Sequence, residues 1–176
     1  RIWRVVYRGS KGDSKVAVPP DLTKLKPAEL VALLEDQNMS LRMLAADRLV
    51  DHAKLDAVEP AKALFADAKS AHARVHAMWV LRRLGALDRL ELTKAAADES
   101  RDVRVHAMRV LADMPDWNEP LLALAFAGLS DKDAFVRRAA ADALGLHQRP
   151  ENVGPLLAAL VATPGDDNHL SQTIRI

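Results

Sequence analysis

One phrase recurs four times in this chain: Leu41-Arg42-Met43-Leu44-Ala45, Ala73-Arg74-Val75-His76-Ala77, Val103-Arg104-Val105-His106-Ala107 and Val136-Arg137-Arg138-Ala139-Ala140. Each copy has a small or apolar residue before an arginine and an alanine three after it. Leu49, Leu81, Leu111 and Leu144 follow four residues beyond the alanines. The arginines are spaced 32, 30 and 33 residues apart. Self-similarity at this period is the signature of stacked helical units, each too small to bury its own apolar face. On a helix, the residue before the arginine, the alanine and the leucine share one side, so that side is core. Alanine in the middle of the stripe lets neighbouring helices approach closely.

Composition agrees with this reading. Of 176 residues, 49% are apolar and only 4% aromatic, which suits helices packed through small side chains and argues against a β-sandwich or barrel. Basic and acidic residues number 25 and 24, so no overall field favours nucleic acid or an acidic membrane, and such binding would need a local patch. The absence of cysteine rules out disulfides, thiol chemistry, cysteine-ligated zinc and covalent haem attachment within these residues, without fixing the compartment. No apolar run reaches the ~18 residues of a membrane span. The start at Arg1 and the stop at Ile176, inside what reads as a helix, suggest a piece of a longer polypeptide.

The expected fold is all-α, an α-solenoid of about five helix-turn-helix units after a short N-terminal strand. Ile2, Trp3, Val5, Val6 and Tyr7 form the β-prone cluster, and Gly9 to Pro20 reads as turn and spacer, so residues 1–26 are set apart from a repeat domain at 27–176. The units span about 27–53, 57–85, 88–114, 117–148 and a truncated 151–176. Pro27 starts the first outer helix, Ser40 is placed to cap the first inner helix, and Gly85 and Pro115 stop the second and third. Ser130 and Asp131 are the capping candidates before the inner helix expected over Lys132 to His147. The fifth outer helix, with Leu156, Leu157, Leu160 and Val161, is expected to be the least stable part, or to pack on another copy.

Three units carry an aspartate six residues before the arginine: Asp36 before Arg42, Asp98 before Arg104 and Asp131 before Arg137. The second unit departs, with Ala68 at that place before Arg74 and Asp67 one position earlier. A turn carboxylate and a forked guanidinium can bond within a unit or to the unit stacked on it, so Asp36, Asp98, Asp131 and the four arginines are assigned to holding turns and setting the stagger between repeats.

Two-helix units with Asp in the turn, then Val136-Arg137, Ala140 and Leu144-Gly145, resemble HEAT-like repeats of the short type first described in phycobilisome lyases. The resemblance covers about Pro27 to Ile176. A second one joins Arg1 to Tyr7, Asp21-Leu22 and Leu30 to Leu34, together with His169-Leu170 and Thr173 to Arg175, to large membrane-bound dehydrogenases. In that family a sugar-dehydrogenase-like β-propeller leads into HEAT-like repeats and a cytochrome c type haem domain often follows. The resemblance implies that propeller and haem lie outside these residues, and that the protein is exported or periplasmic.

No residue pattern identifies a reaction. His72 and His76 have the spacing of a zinc pair, but no Glu follows His72 and no third ligand is indicated, while His76 and His106 occupy the same slot of successive repeats. No metal or cofactor is therefore expected. Asp47, Trp79, Arg109 and Asp142 each lie five residues after their unit's arginine and should line up along the inner helices. With His76, Arg83, His106, Asp113 and Arg138 they form a candidate partner-binding ridge with Trp79 as its aromatic anchor. The alternative is that Arg109 pairs with Asp142 and Trp79 only covers a seam.

The function expected is a non-catalytic protein-interaction or interdomain scaffold, whose partner is a protein or a neighbouring domain of the same polypeptide. Two alternatives stand beside it. One is a segment of a sugar-type dehydrogenase. The other is a small HEAT-like enzyme of the bilin lyase or DNA glycosylase type. A glycosylase needs a basic, aromatic groove around a carboxylate, and Asp47, Asp113 and Asp142 interrupt such a surface.

Overall fold

A computed structural model describes residues 18–165 and 167–175. The strand expected over residues 1–8 lies outside the described residues. Beyond it, helices alternate in two layers. The outer layer holds α1 (Pro27–Ala32), α3 (Val58–Asp67), α5 (Arg89–Ala96), α7 (Glu119–Leu129) and α9 (Val153–Ala162). The inner layer holds α2 (Met39–Arg48), α4 (Ala71–Arg83), α6 (Arg101–Asp113), α8 (Ala134–Leu146) and α10 (Asn168–Arg175). Each inner helix packs on its own outer helix and on the inner helices before and after it, which makes the chain an all-α solenoid.

The core is the repeated stripe. Leu41, Ala45 and Leu49, Ala73, Ala77 and Leu81, Val103, Ala107 and Leu111, and Val136, Ala140 and Leu144 are all buried. Outer helices add Leu30, Ala61, Phe65, Leu92, Ala95, Leu122 and Ala125, and the 3-10 turn after α1 adds Leu34. Their approach is close enough to need glycine at one point. A Cβ on Gly128 of α7 would stand 2.6 Å from Met108 Sδ and 2.8 Å from Ala140 Cβ.

Helix ends follow local chemistry, with some shifts from expectation. Gly85 takes φ +68° after α4, and the amides of Gly85 and Ala86 donate to Arg82 O and Leu81 O, which is the Schellman pattern. Asp88 and Glu91 form a reciprocal capping box on α5 at 2.8 Å in both directions. Asn38, not Ser40, caps α2, its Oδ1 accepting from the Ser40 and Leu41 amides. Asp133, not Ser130 or Asp131, caps α8 through the Phe135 amide, and α8 therefore starts at Ala134 and not at Lys132. The first inner helix loosens into a π turn over Leu49–Ala53, and the fifth outer helix begins as a 3-10 turn at Pro150–Asn152.

Two further ties close the later units. Trp117 is buried, donates to Leu111 O at 2.9 Å and stacks on His147 at 4.2 Å between ring centroids. Asn152, also buried, donates to Leu144 O and His147 O, which α8 leaves without helical partners. Helix α9 contributes no buried residue and leaves Val153, Leu157 and Val161 exposed.

Gly128→Ala should lower stability by about 1–3 kcal/mol through overpacking against Met108 and Ala140. Gly145→Ala meets nothing within 4 Å and should raise stability by roughly 0.5–1 kcal/mol. Urea denaturation of both variants measures the opposite signs.

Candidate functional site: an inner-face pocket beside an arginine ladder

The recurrent arginines do one job in four units. Nη1 of Arg42 donates to Asp36 O and Gln37 O, that of Arg74 to Ala68 O and Lys69 O, that of Arg104 to Asp98 O and Glu99 O, and that of Arg137 to Asp131 O and Lys132 O. Each thereby ties down the turn that opens its own inner helix. The other edge of the guanidinium reaches the next unit. Arg74 grips Asp98 through Nε at 2.9 Å and Nη2 at 2.8 Å, and Arg104 grips Asp131 at 2.8 and 3.1 Å. Both options left open by the sequence are thus used at once, with backbone acceptors inside the unit and a carboxylate in the next.

The carboxylates serve twice as well. Asp98 Oδ1 accepts from the Ser100 amide and Asp131 Oδ1 from the Asp133 amide, each at 2.8 Å. Burial raises the Asp131 pKa, but the Arg104 and Asp133 donors outweigh it and hold the carboxyl below the ordinary 3.8. The Asp36 carboxylate accepts from the Asn38 amide and pairs with no arginine among the described residues.

The ladder changes at both ends. Arg42 has Ala68 where the next aspartate would stand, and its Nε donates to His76 Nε2 at 3.2 Å. At the fifth unit Asp167 lies 4.0 Å from Arg137 Nη2 but 2.8 Å from Arg138 Nη2.

Beside the ladder, α2, α4 and α6 enclose a pocket of about 520 Å³. Met39 and Met43 of α2 and Val75 and Trp79 of α4 supply apolar lining, and His72, His76 and His106 polar lining, together with Arg42, Asp47, Arg83 and Asp102. Met39 and Met43 are 61% and 53% exposed, apolar surface the core does not need. Trp79 Nε1 donates to His106 Nδ1 at 2.9 Å across the seam between the second and third units, with the rings edge to face.

His76 and His106 each accept a hydrogen bond from a donor that has no alternative, so both are neutral. Burial, then the Arg42, His72 and His106 neighbours, keep His76 below the ordinary 6.5. Burial and Arg109 do the same for His106 against a smaller opposing effect of Asp102. The Arg42 contact also occupies one of the two His76 ring nitrogens. Among the described residues no group of three candidate ligands stands close enough to hold a metal.

Of the ridge read from the sequence, the structure brings Asp47, His76, Trp79, Arg83 and His106 to this pocket. Arg83 is engaged there with Asp47 at 2.7 Å. Arg138 lies further along, bonded to Asp167 and over the Phe135 ring at 5.1 Å, while Asp113 is paired with Arg82. Arg109 and Asp142 are both exposed, and the ion pair considered for them is not formed among the described residues. Their side chains lie apart because each points to solvent from its own helix. Met39, Met43 and Val75 were not read as site residues from the sequence, and His72 only as one of a zinc-spaced pair with His76. The available signal was Met39 and Met43 at helical spacing on a polar face.

This geometry, apolar side chains beside histidine, arginine and aspartate, can bind. Residues 89–171 match the family model of HEAT repeats. The match covers the third to fifth units, and the arginine ladder itself runs back through Arg74 and Arg42. No curated protein matches the chain. No described helix is long and apolar enough to cross a membrane.

Two outcomes test the site's energetics. Arg104→Gln should cost about 3 kcal/mol, because it strands a carboxylate that is 14% exposed, whereas Arg83→Gln at the open rim should cost no more than about 0.5 kcal/mol. For the histidines, the folded chain resists protons that the unfolded chain accepts near 6.5. Their contribution is therefore complete above that value and lost as pH falls through it. The denaturation midpoint should drop between pH 7 and pH 5.5, and the double variant His76→Gln, His106→Gln should flatten that drop.

Proposed function

We propose that this chain is a non-catalytic protein-interaction scaffold that docks its partner on the inner-helix face. The observation that carries this reading is the pocket with Met39, Met43 and Trp79. It is apolar surface that neither the core stripe nor the ladder uses, placed on the side that solenoids of this kind present as their concave surface. Methionine walls adapt to the shape of an incoming side chain, and a partly buried tryptophan with arginines nearby is the composition of interface centres. The rest of the ridge, Arg109, Arg138 and Asp142, extends the same face and would supply rim contacts.

Other readings have less behind them. A glycosylase groove calls for unpaired cations, and the arginines at this face are largely spent on carboxylates and carbonyls. The dehydrogenase resemblance rests chiefly on Arg1 to Tyr7, outside the described residues. His169 to Arg175 lie in α10, where Leu170 is the buried residue. An interdomain role within a longer polypeptide uses the same face and differs only in whether the partner is covalently attached.

A photo-crosslinking residue placed at Met43 and, separately, at Ala63 on the exposed side of α3 tests the docking face in the cells that make the protein. Adducts should form at position 43 and be lost on adding Trp79→Ala and Arg109→Glu. Equal labelling at both positions, labelling at neither, or adducts indifferent to those substitutions would count against the inner face.

A further inference from the structure

The arginine ladder contains its own control. At Arg74 and Arg104 the Nε and Nη2 edge holds an aspartate side chain in a two-pronged grip. Arg42 is held in the same way on its inner side, with Nη1 on Asp36 O at 2.7 Å and Gln37 O at 3.1 Å, so its outer edge is presented like those of the other two. The acceptor is what differs. Ala68 replaces the aspartate, Nε takes the uncharged His76 nitrogen, and among the described residues Nη2 has no hydrogen-bond partner and no carboxylate lies within ion-pair distance of Arg42.

The charge left over faces the pocket. Arg42 lines it together with Met39, Met43 and Trp79, while the other lining arginine, Arg83, is neutralised by Asp47, and Asp102 is shared with Arg101. An apolar pocket with one uncompensated guanidinium edge is complementary to a group that carries an acidic and an aliphatic side chain next to each other.

We propose that the pocket receives a peptide segment of the partner protein in which an aspartate or glutamate side chain occupies the Arg42 Nε and Nη2 edge and an adjoining aliphatic side chain enters between Met39, Met43 and Trp79. This rests on the inner-face docking proposed above and narrows the partner to an acidic, apolar-flanked segment. Binding releases His76 from Nε and completes at the first junction the arginine–carboxylate pair that the chain makes for itself at the next two. Planar two-pronged pairing discriminates a carboxylate from an amide of the same shape, because the amide nitrogen brings donors against donors.

The probes are acetyl-Leu-Asp-Leu-Leu-amide and its Asn counterpart, titrated to low millimolar concentration while the Met39 and Met43 methyl and Trp79 indole resonances are followed by NMR. The Asp peptide should bind about tenfold more tightly than the Asn peptide, the size of one charge-assisted contact. Ala68→Asp supplies an internal carboxylate to Arg42. It should raise the melting temperature and abolish the preference for Asp while leaving the apolar walls intact. Arg42→Gln should abolish the preference as well. Equal binding of the two peptides, no response to either, or a preference that persists in Ala68→Asp and Arg42→Gln overturns the proposal. A lost preference for Asp with crosslinking still confined to position 43 would defeat the carboxylate site alone. Loss of that crosslinking would defeat the docking face itself.

Discussion

The guanidinium fork between successive units is the contact on which the rest of the solenoid depends. Its inner prong always meets the carbonyls six and five residues before the arginine. That fixes the register of the turn against its inner helix in each of the first four units. The other connection, where an inner helix hands over to the next outer one, has no such common tie. There each unit ends differently: a π turn after α2, a glycine cap after α4, a buried tryptophan after α6, and a buried asparagine under α8.

Pairs as dry as Arg104 and Asp131 do not rank high as net stabilisers, because two charges must leave water to form them. Their effect lies in direction. The grip is planar and two-pronged, so it sets distance and rotation together, while the alanines beneath it permit more than one stagger. Core and ladder divide the work accordingly: burial of the repeated Leu and Ala positions supplies cohesion, and the ladder selects one way of stacking.

Much of this was legible in the sequence because the repeat is its own alignment. The twelve core positions followed from spacing alone, and Gly85 marked a helix end because a left-handed residue is needed there. Exchange partners were harder. Asn38 and Ser40 can both cap a helix, and the choice is made by where the arginine pins the turn. The Trp117, His147 and Asn152 clasp joins side chains whose meeting depends on how two units stack, which no local pattern records. At the candidate site the departure at Ala68 was visible, but its meaning was not. Only the matched grips at Arg74 and Arg104 show what Arg42 lacks, and only packing shows that the methionines stand beside it.

The last joint behaves unlike the others. Asp167 stands between two consecutive arginines of α8, bonded to Arg138 and within 4.0 Å of Arg137. These side chains leave the helix about 100° apart, so the carboxylate has two anchorages reached by a modest swivel of one unit on the next. A two-pronged lock resists bending, whereas a single bond with an alternative close by yields to it. The joints are thus unequal along the array: the second and third are each held by a two-pronged grip, and the fourth by one contact to Arg138 with Arg137 at the edge of reach.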